Sequence, residues 1–240
     1  PGASYNGAAK FFEVYTRPTE PTSADDHDLR ISHIGYDRKH TTATDNHSWF
    51  PLHALRRAVA TGRIGEISPR FHGAPTNRSH RHTVTTDCPE LLKLVQDDAV
   101  DAVLLVPNCP VCHQTVALTA RHLEAAGIPT VIMGCAKDIV EHAGVPRFLF
   151  SDFPLGNSCG KPHEPDTQAF TLDLALKVFE SAVGPRTTVQ SPLRWTEDGD
   201  WKNDYNNIAR MPPEEVAKRR AEFDKVKQVA LSQRKQADVA

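Results

Sequence analysis

The clearest pattern of apolar and polar positions lies within residues 100–133. An apolar run from Val103 to Val106 is followed by a short polar turn, and apolar residues then recur at helical spacing as far as Gly127. A second apolar run, Pro129 to Met133, follows that glycine. Because short apolar runs are typical of buried strands and a period near 3.6 residues is typical of a helix, the segment is predicted to form one strand–helix–strand unit.

The same reasoning predicts the remaining elements. The predicted helices are Ala8–Tyr15, Pro51–Thr61, a helix through Leu91–Val95 with Asp87 as its N-cap, Ala136–Ala143, Thr167–Val183 with Asp166 as its N-cap, and Pro212–Gln236. The further predicted strands are Leu29–Gly35, Ser68–Pro75 and Arg147–Phe150, and a long polar loop covers Tyr36–Ser48. Strands that alternate with helices predict an α/β fold, with a mostly parallel sheet sandwiched by helices in Rossmann-like or flavodoxin-like layers.

Two units are predicted along the chain. Residues 1–186 form the α/β domain, and residues 187–240 form an irregular wrap that ends in a long helical arm. The arm is highly charged with a thin apolar stripe, so we expect it to contact another subunit, and the protein to be a homo-oligomer.

Composition excludes several classes of function. The 28 basic residues nearly balance the 30 acidic ones, and no basic stripe is interleaved with aromatic residues, so nucleic acid is not an expected partner. No apolar run approaches the roughly 20 residues that a membrane span needs. There is no secretory signal pattern, although the start at Pro1 leaves open whether a segment precedes it. Nucleotide-binding glycine motifs and the serine-hydrolase GxSxG motif are absent from the sequence.

The cysteines indicate the compartment and the chemistry. Five scattered cysteines do not form a disulfide scaffold and fit a reducing cytoplasm.

Cys109-Pro110-Val111-Cys112 forms a CxxC motif at the predicted strand-to-helix turn, where unpaired N–H groups and the helix dipole favour a thiolate. We predict that Cys109 is the more exposed, attacking thiolate and that Cys112 is the resolving thiol. A buried, inert pair of thiols is the alternative.

Metal binding is a second interpretation, and the 12 histidines keep it open. Cys109, Cys112, Cys135 and Cys159 could converge on one ion, with His33, His40 or His72 completing a tetrahedral set. Cys112-His113 also completes the CxxCH signature of c-type haem attachment, but a porphyrin has little room beside a packed parallel sheet.

Polar residues follow several of the predicted strands. Because ligands of parallel α/β sheets bind beyond the carboxyl ends of the strands, we expect these residues to line one pocket with Cys109. The predicted substrate-binding residues are Asp37, His40, His72, Arg78, Asn108, His113 and Asp152. Arg38 and Lys39 offer positive charge for a substrate carboxylate.

Three blocks of the sequence resemble a known family. They are VDAVLLVPNCPVCHQ…LEAAGIPTV, SHIGYDRKHTT…FPLHAL…GRIGEISPRFHG and PRFLFSDFPLGNSCGKPHEPDTQ, within residues 28–180. These blocks resemble the selenoprotein B components of glycine, sarcosine and betaine reductases and the related D-proline reductase component. By this resemblance, Cys109 occupies the position of selenocysteine in the Sec-x-x-Cys motif of that family, and Cys112 matches the cysteine of the motif.

The resemblance implies reductive chemistry on small amines or cyclic amino acids. In that family the selenolate attacks the substrate α-carbon, a C–N bond breaks, thiols restore the selenium, and a pyruvoyl group on a partner subunit activates the amine. This chain differs at two positions, with Cys109 in place of selenocysteine and Thr115 where a further cysteine often stands. A thiolate is the weaker nucleophile, so a dithiol reductase of another substrate, or an enzyme that cleaves C–S or C–halogen bonds, would use the same pair.

Three hypotheses therefore follow from the sequence. The first is a thiol-dependent reductase of a small organic molecule, with no certain cofactor and a dithiol, thioredoxin-like electron donor. The second is a protein that binds a metal through cysteine and histidine. The third is a non-catalytic interaction subunit of a reductase complex.

Overall fold

The computed structural model describes residues 13–16, 35–76, 79–205 and 207–237. Its strands are β1 Glu13–Thr16, β2 Arg70–Gly73, β3 Val103–Leu105, β4 Thr130–Gly134, β5 Arg147–Phe150 and β6 Thr187–Gln190. Its α-helices are α1 Leu52–Ala60, α2 His80–His82, α3 Cys88–Asp97, α4 Pro110–Ala125, α5 Lys137–Ala143, α6 Pro165–Ser181 and α7 Pro213–Ala237. The predicted strand Leu29–Gly35 lies outside the described residues except for Gly35, which is in a turn.

The central sheet has four parallel strands in the order β3-β4-β5-β6. Side chains alternate across it, so that Ile132 and Phe148 point to one face while Met133 and Leu149 point to the other. All four of these side chains are fully buried. A parallel sheet covered on both faces explains why its central strands have continuous apolar sequences.

Helices cover both faces and give three layers. Helices α4 and α5 pack on the Ile132 face, while α1 and α6 pack on the Met133 face. The predicted α/β sandwich with a parallel sheet is therefore confirmed, as is a long C-terminal helix.

Two strands differ from the sequence predictions. Glu13–Thr16 is a strand, whereas we predicted a helix over Ala8–Tyr15, and it pairs antiparallel with β2 in a separate two-stranded sheet. The segment Thr187–Gln190, predicted to be irregular, is a strand paired with β5. The central sheet thus includes residues on both sides of the boundary predicted at residue 186.

The helical segment before β3 starts earlier than predicted. Ser79 is the N-cap of α2, and its side chain accepts a hydrogen bond from the backbone N–H of His82. Asp87 directly precedes α3, as predicted, but its backbone is helical and its side chain makes no capping hydrogen bond. Helix α2 continues through one π-helical turn, Thr83–Asp87, into α3. Pro89 lacks an N–H and its ring conflicts with a carbonyl one turn earlier, so the wider π-helical turn is a physically reasonable adjustment there. Helix α6 begins at Pro165, before the predicted N-cap Asp166, which lies in its first turn; Glu164 occupies the N-cap position without a side-chain capping hydrogen bond.

The segment between β6 and α7 contains two short 3-10 helices, Asp200–Asn203 and Ile208–Arg210. Helix α7 follows, and its Phe223 is 57% exposed. A search of the described helices finds none with the length and hydropathy needed to cross a bilayer.

Candidate functional site

The loops that follow β3, β4 and β5 meet at the carboxyl edge of the sheet. The N–H of Ser151, directly after β5, donates to the carbonyl of Gly134 at the end of β4, at 2.9 Å. The hydroxyl of Ser158 donates to the carbonyl of Pro107, after β3, at 2.7 Å. The loop after β5 thus reaches across the edge to the CxxC segment, as expected for a site at the ends of parallel strands.

Cys109 and Cys112 form a disulfide with a Cα–Cα distance of 5.0 Å. Cys109 is the N-cap of α4, in an extended conformation, and Pro110 occupies the first turn, where a missing N–H costs no hydrogen bond. The Cys109 sulfur accepts a hydrogen bond from the backbone N–H of Cys112 at 3.1 Å. The pair therefore lies at the positive end of a 16-residue helix, as the sequence predicted.

The exposure of the two sulfur-bearing residues is the reverse of our prediction. Cys109 is 0% exposed, whereas Cys112 is partly exposed. The contact between Ser158 and Pro107 holds the loop after β5 against the segment that leads into Cys109. This contact joins residues that are far apart in sequence, so local patterns gave no sign of it.

His113 is fully buried and connects two parts of the site. Its Nδ1 lies 2.8 Å from the carbonyl oxygen of Cys109, and its Nε2 accepts from the backbone N–H groups of Cys135 at 2.9 Å and Ala136 at 3.1 Å. Because a carbonyl only accepts, the proton of the neutral ring resides on Nδ1. Burial lowers the pKa of His113 to about 4. We predicted His113 as a substrate-binding residue. In this structure both ring nitrogens are bonded to backbone and the side chain has no exposed surface, so His113 connects the segment at Cys109 to the loop after β4.

Gly134 is required by this arrangement. A Cβ atom at this position would lie 2.9 Å from His113 Nε2, closer than real Cβ contacts. The glycine at the end of β4 thus allows the imidazole to approach the backbone of the next residue.

The other two cysteines of the metal interpretation are neutral thiols. Burial raises the pKa of Cys135 to about 12 and the pKa of Cys159 well above its ordinary value. Cys159 packs in the apolar cluster between α1, α6 and the sheet, with Ala54 and Leu172 among its members. Within the described ranges no group of three or more His, Cys, Asp and Glu side chains is placed to hold a metal ion, and His33 lies outside them.

The turn that contains Asp37 and His40 lies at the same edge as Cys109. The N–H of Asp37 donates to the carbonyl of Leu155 at 2.9 Å, and Asn157 Nδ2 donates to the hydroxyl of Thr41 at 2.6 Å. Leu155 and Asn157 belong to the loop that also contacts Pro107. The prediction that this polar loop shares the edge of the CxxC motif is consistent with these contacts.

Asp37 itself is almost completely buried and organises the turn. Its carboxylate accepts from the backbone N–H groups of Lys39 and His40 at 3.0 and 3.2 Å. It also lies 2.9 Å from His40 Nδ1. The Asp37 carboxylate thus stabilises the turn itself, and His40 is the partly exposed residue of the pair.

A segment after β6, residues 195–205, contacts this turn; we call it the strap. Asp204 pairs with Lys39 at 2.8 Å and lies 3.5 Å from His40 Nε2. Tyr205 donates its hydroxyl proton to the carbonyl of Gly35 at 2.8 Å. Lys202 forms an ion pair with Asp152, the polar residue after β5. Two predicted substrate-binding residues, His40 and Asp152, are therefore bound by the strap.

The remaining predicted residues are placed differently. His72 Nε2 lies 3.0 Å from the carboxylate of Asp98, which Arg70 also contacts. Asp98 precedes β3, whereas Cys109 follows it, so the structure does not bring His72 to the CxxC edge. Arg78 lies outside the described residues.

Several buried polar atoms around the CxxC edge have no hydrogen-bond partner among the described residues. They are Asn108 Oδ1, Ser151 Oγ and Asn157 Oδ1. Ser151 and Asn157 are 0% exposed. Buried acceptors without donors are costly, and they gather at sites that bind water or a ligand. Ser151 was missed from the sequence; its only signal was its position directly after a strand.

Comparison with curated proteins identifies relatives of the chain. It is 29% identical to the D-proline reductase subunit gamma of Acetoanaerobium sticklandii over 158 residues, which are 65% of this chain and 65% of that subunit. It is 25% identical over 183 residues, 75% of this chain, to the glycine reductase complex component B subunit gamma of Symbiobacterium thermophilum. The corresponding subunit of Carboxydothermus hydrogenoformans is 24% identical over 163 residues, 66% of this chain.

The matched regions are only part of each relative. They span 65% of the D-proline reductase subunit and 42% and 37% of the two glycine reductase subunits. No protein-family model and no solved structure matches the chain significantly. The relatives are nevertheless those that the sequence motifs indicated, and that resemblance is confirmed.

Proposed function

We propose that this chain, a homologue of the gamma subunits of D-proline and glycine reductases, uses Cys109 and Cys112 as the dithiol–disulfide couple of a reductase. The observation that carries the proposal is the disulfide between these two residues at the N-terminus of α4, with the Cys109 sulfur as the helix cap. The dithiol–disulfide difference is two electrons, which is what reductive cleavage of one single bond requires.

The proposed reaction consumes both thiols. The Cys109 thiolate attacks the substrate carbon of R–X and expels X⁻, forming a Cys109 thioether. The Cys112 thiolate then attacks the Cys109 sulfur, forming the disulfide, and the departing carbanion takes a proton to give R–H. The balance is R–X plus two thiols to R–H, HX and one disulfide, so the substrate is reduced by two electrons and the cysteine pair is oxidised.

Cys109 is assigned the nucleophilic role because its sulfur is the one that the helix stabilises. In the reduced pair a Cys109 thiolate would keep the N–H of Cys112 as a donor, and it lies at the positive end of the α4 dipole. Both interactions favour the charged over the neutral form and oppose the effect of burial.

We place the substrate beside Cys109, against the unpartnered oxygens of Asn108, Ser151 and Asn157. Because Cys109 is 0% exposed, this placement requires the loop after β5 to move away from Pro107 when a small substrate enters. These atoms are suited to a ligand that presents N–H or O–H donors. His40 and Asp152, which contact Asp204 and Lys202 of the strap, lie at the same edge. The substrate and its activation determine whether the broken bond is C–N, C–S or C–halogen. We propose that the substrate is a small organic molecule that contains one of these bonds.

We further propose that the chain works as one subunit of a complex in the reducing cytoplasm. Its relatives are named as subunits, which supports partner subunits. Helix α7 packs extensively against none of the other helices or strands in the described part of the chain, and Phe223 on it is exposed. We propose that α7 contributes to assembly, including assembly with a second copy.

The test is a single turnover of the reduced protein, alone and with any subunits that co-purify. Product and disulfide are measured after addition of amino acids such as glycine and D-proline, or of C–S and C–halogen compounds. We expect one disulfide per product molecule. In Cys112→Ser the thioether cannot be resolved, so mass spectrometry should find R bound to Cys109. Product formation at the normal rate by Cys109→Ser would overturn the proposal.

A further inference from the structure

The two sulfur atoms of the disulfide differ in access and in chemical surroundings. Cys109 is completely buried, and only Cys112 has exposed surface. An external thiol that reduces a disulfide must attack one of the two sulfurs, and the other sulfur leaves as a thiolate. The direction of reduction is therefore decided by which sulfur can be reached and which can bear the charge.

From this asymmetry we infer that the electron donor is a thiol that attacks Cys112 Sγ, that Cys109 leaves as the thiolate, and that Cys112 is the only point at which the donor is bound covalently. The inference rests on the proposed function and specifies the partner of the same site. It reverses the assignment expected from the sequence, in which Cys109 was the accessible sulfur.

Access is the first argument. The fully buried Cys109 follows β3, and the loop after β5 is tied to Pro107, two residues before it. His113 lies against the carbonyl of Cys109. Cys112 lies in the first turn of α4 and retains a solvent-facing surface. Of the two cysteines, Cys112 is therefore the one with surface through which a donor thiol can approach.

Leaving-group stability is the second argument. The Cys109 sulfur already accepts the N–H of Cys112 at 3.1 Å, and this bond strengthens when the sulfur becomes negative. The sulfur of Cys112 accepts no hydrogen bond from the residues that the structure describes. Since exchange is faster when the departing thiolate is better stabilised, release of Cys109 is favoured over release of Cys112.

The exchange balances without another reactant. A donor thiolate D–S⁻ forms a D–S–S–Cys112 mixed disulfide and releases the Cys109 thiolate. A second thiol of the donor then attacks the donor sulfur, releases Cys112, and leaves the donor oxidised as its own disulfide. The protein disulfide gains two electrons and the donor dithiol loses two. Cys109 regains its nucleophilic form in the first step, before the donor has departed.

The experiment maps the mixed disulfide on the full oxidised chain. Reduced glutathione is added, the reaction is stopped with acid at short times, free thiols are alkylated, and fragment ions on either side of Pro110 separate Cys109 from Cys112. We expect glutathione on Cys112 and the alkylating group on Cys109. The same protocol in denaturant serves as the control, where both sulfurs are accessible and both adducts should form.

A pair of variants provides an independent readout. Serine at position 109 remains a good N-cap, so Cys109→Ser should keep α4 intact. Its thiol at position 112 should react with 5,5′-dithiobis(2-nitrobenzoate) at least about tenfold faster per thiolate than the thiol at position 109 of Cys112→Ser, with the rates measured over a pH series to correct for ionisation. Because Cys88, Cys135 and Cys159 also carry thiols, the adduct at each position is followed by mass spectrometry of acid-quenched samples.

The outcomes separate the inference from the proposed function. Glutathione found on Cys109 of the folded chain, or faster reaction of Cys112→Ser, would overturn the inference and leave the redox couple in place. Failure of the folded disulfide to exchange with any thiol, while the unfolded chain exchanges, would overturn both.

Discussion

The imidazole of His113 lies 2.8 Å from the carbonyl oxygen of Cys109 and connects that residue to the loop after β4. A neutral histidine on α4 therefore connects the backbone of the CxxC motif to the backbone of the loop after β4. Protonation at Nε2 would remove the acceptor used by the N–H groups of Cys135 and Ala136. The integrity of the site should consequently depend on pH.

The first prediction concerns acid stability. Burial lowers the pKa of His113 from 6.5 to about 4, so between these values the unfolded chain binds the proton and the folded chain does not. Stability from this group is complete above pH 6.5 and falls as the pH is lowered through this window, by about 3 kcal/mol in total. The free energy of unfolding, measured by urea denaturation at several pH values, should show this loss in the wild type.

His113→Gln is the matched variant for that measurement, because glutamine cannot titrate. The difference between wild type and His113→Gln should shrink as the pH falls from 6.5 towards 4. His142→Gln, on the exposed surface of α5, should keep the wild-type dependence. A pH-independent difference for His113→Gln would contradict the assigned protonation state.

The second prediction tests the close approach of Gly134 to His113. An added Cβ would lie 2.9 Å from Nε2, so Gly134→Ala should displace the ring and destabilise the protein by about 1–3 kcal/mol. Gly65→Ala is the control, since its Cβ would meet nothing within 4 Å. Equal unfolding free energies for the two variants would show that His113 does not occupy the described position.

Features that depend on residues close together in the sequence were predicted correctly, whereas features that depend on residues far apart in the sequence were missed. The β3–α4–β4 unit was predicted correctly because apolar runs and helical spacing are local and Gly127 ends the helix. Strand β6 was missed because its residues, Thr-Thr-Val-Gln, are only partly buried at the edge of the sheet and form no apolar run. Its identity depends on pairing with β5.

The site was predicted in position but not in detail. The location of Cys109 at a helix N-terminus follows from the order of the elements. Its burial is a property of the tertiary structure, in which a loop about fifty residues further along the chain contacts Pro107, just before Cys109. A histidine directly after CxxC suggests chemistry, but nothing in the local pattern shows that the backbone of Cys135 requires an acceptor. Such long-range hydrogen bonds are decided by the tertiary structure.

The third prediction concerns the strap. Hydrogen bonding and charge from Lys39 lower the pKa of Asp204, so this ion pair should persist at neutral pH and weaken at acidic pH or high salt. Asp204→Asn should make the strap more sensitive to limited proteolysis. Asp200→Asn, at an exposed position on the same segment, is the control. Identical cleavage rates for the two variants would exclude Asp204 as an anchor of the strap.

The fourth prediction sets metal binding against redox chemistry. Protein purified without chelator should contain no stoichiometric zinc, since the residues that the structure describes include no group of three or more His, Cys, Asp and Glu side chains placed to hold a metal ion. Elemental analysis after dialysis gives the answer. A stoichiometric metal that survives dialysis and is lost in Cys112→Ser would favour the metal-binding hypothesis.

The central claim is that Cys109 and Cys112 form a reversible two-electron couple, and a redox titration tests it most directly. The folded protein is equilibrated in dithiol–disulfide buffers of graded potential, quenched with acid and alkylated, and the oxidation state of each cysteine is read by mass spectrometry. We predict that Cys109 and Cys112 change together in one transition, with a slope of about 30 mV per tenfold change in ratio, while Cys88, Cys135 and Cys159 stay reduced. A pair that remains reduced at every potential at which the protein stays folded, or that is oxidised only after unfolding, would contradict the account.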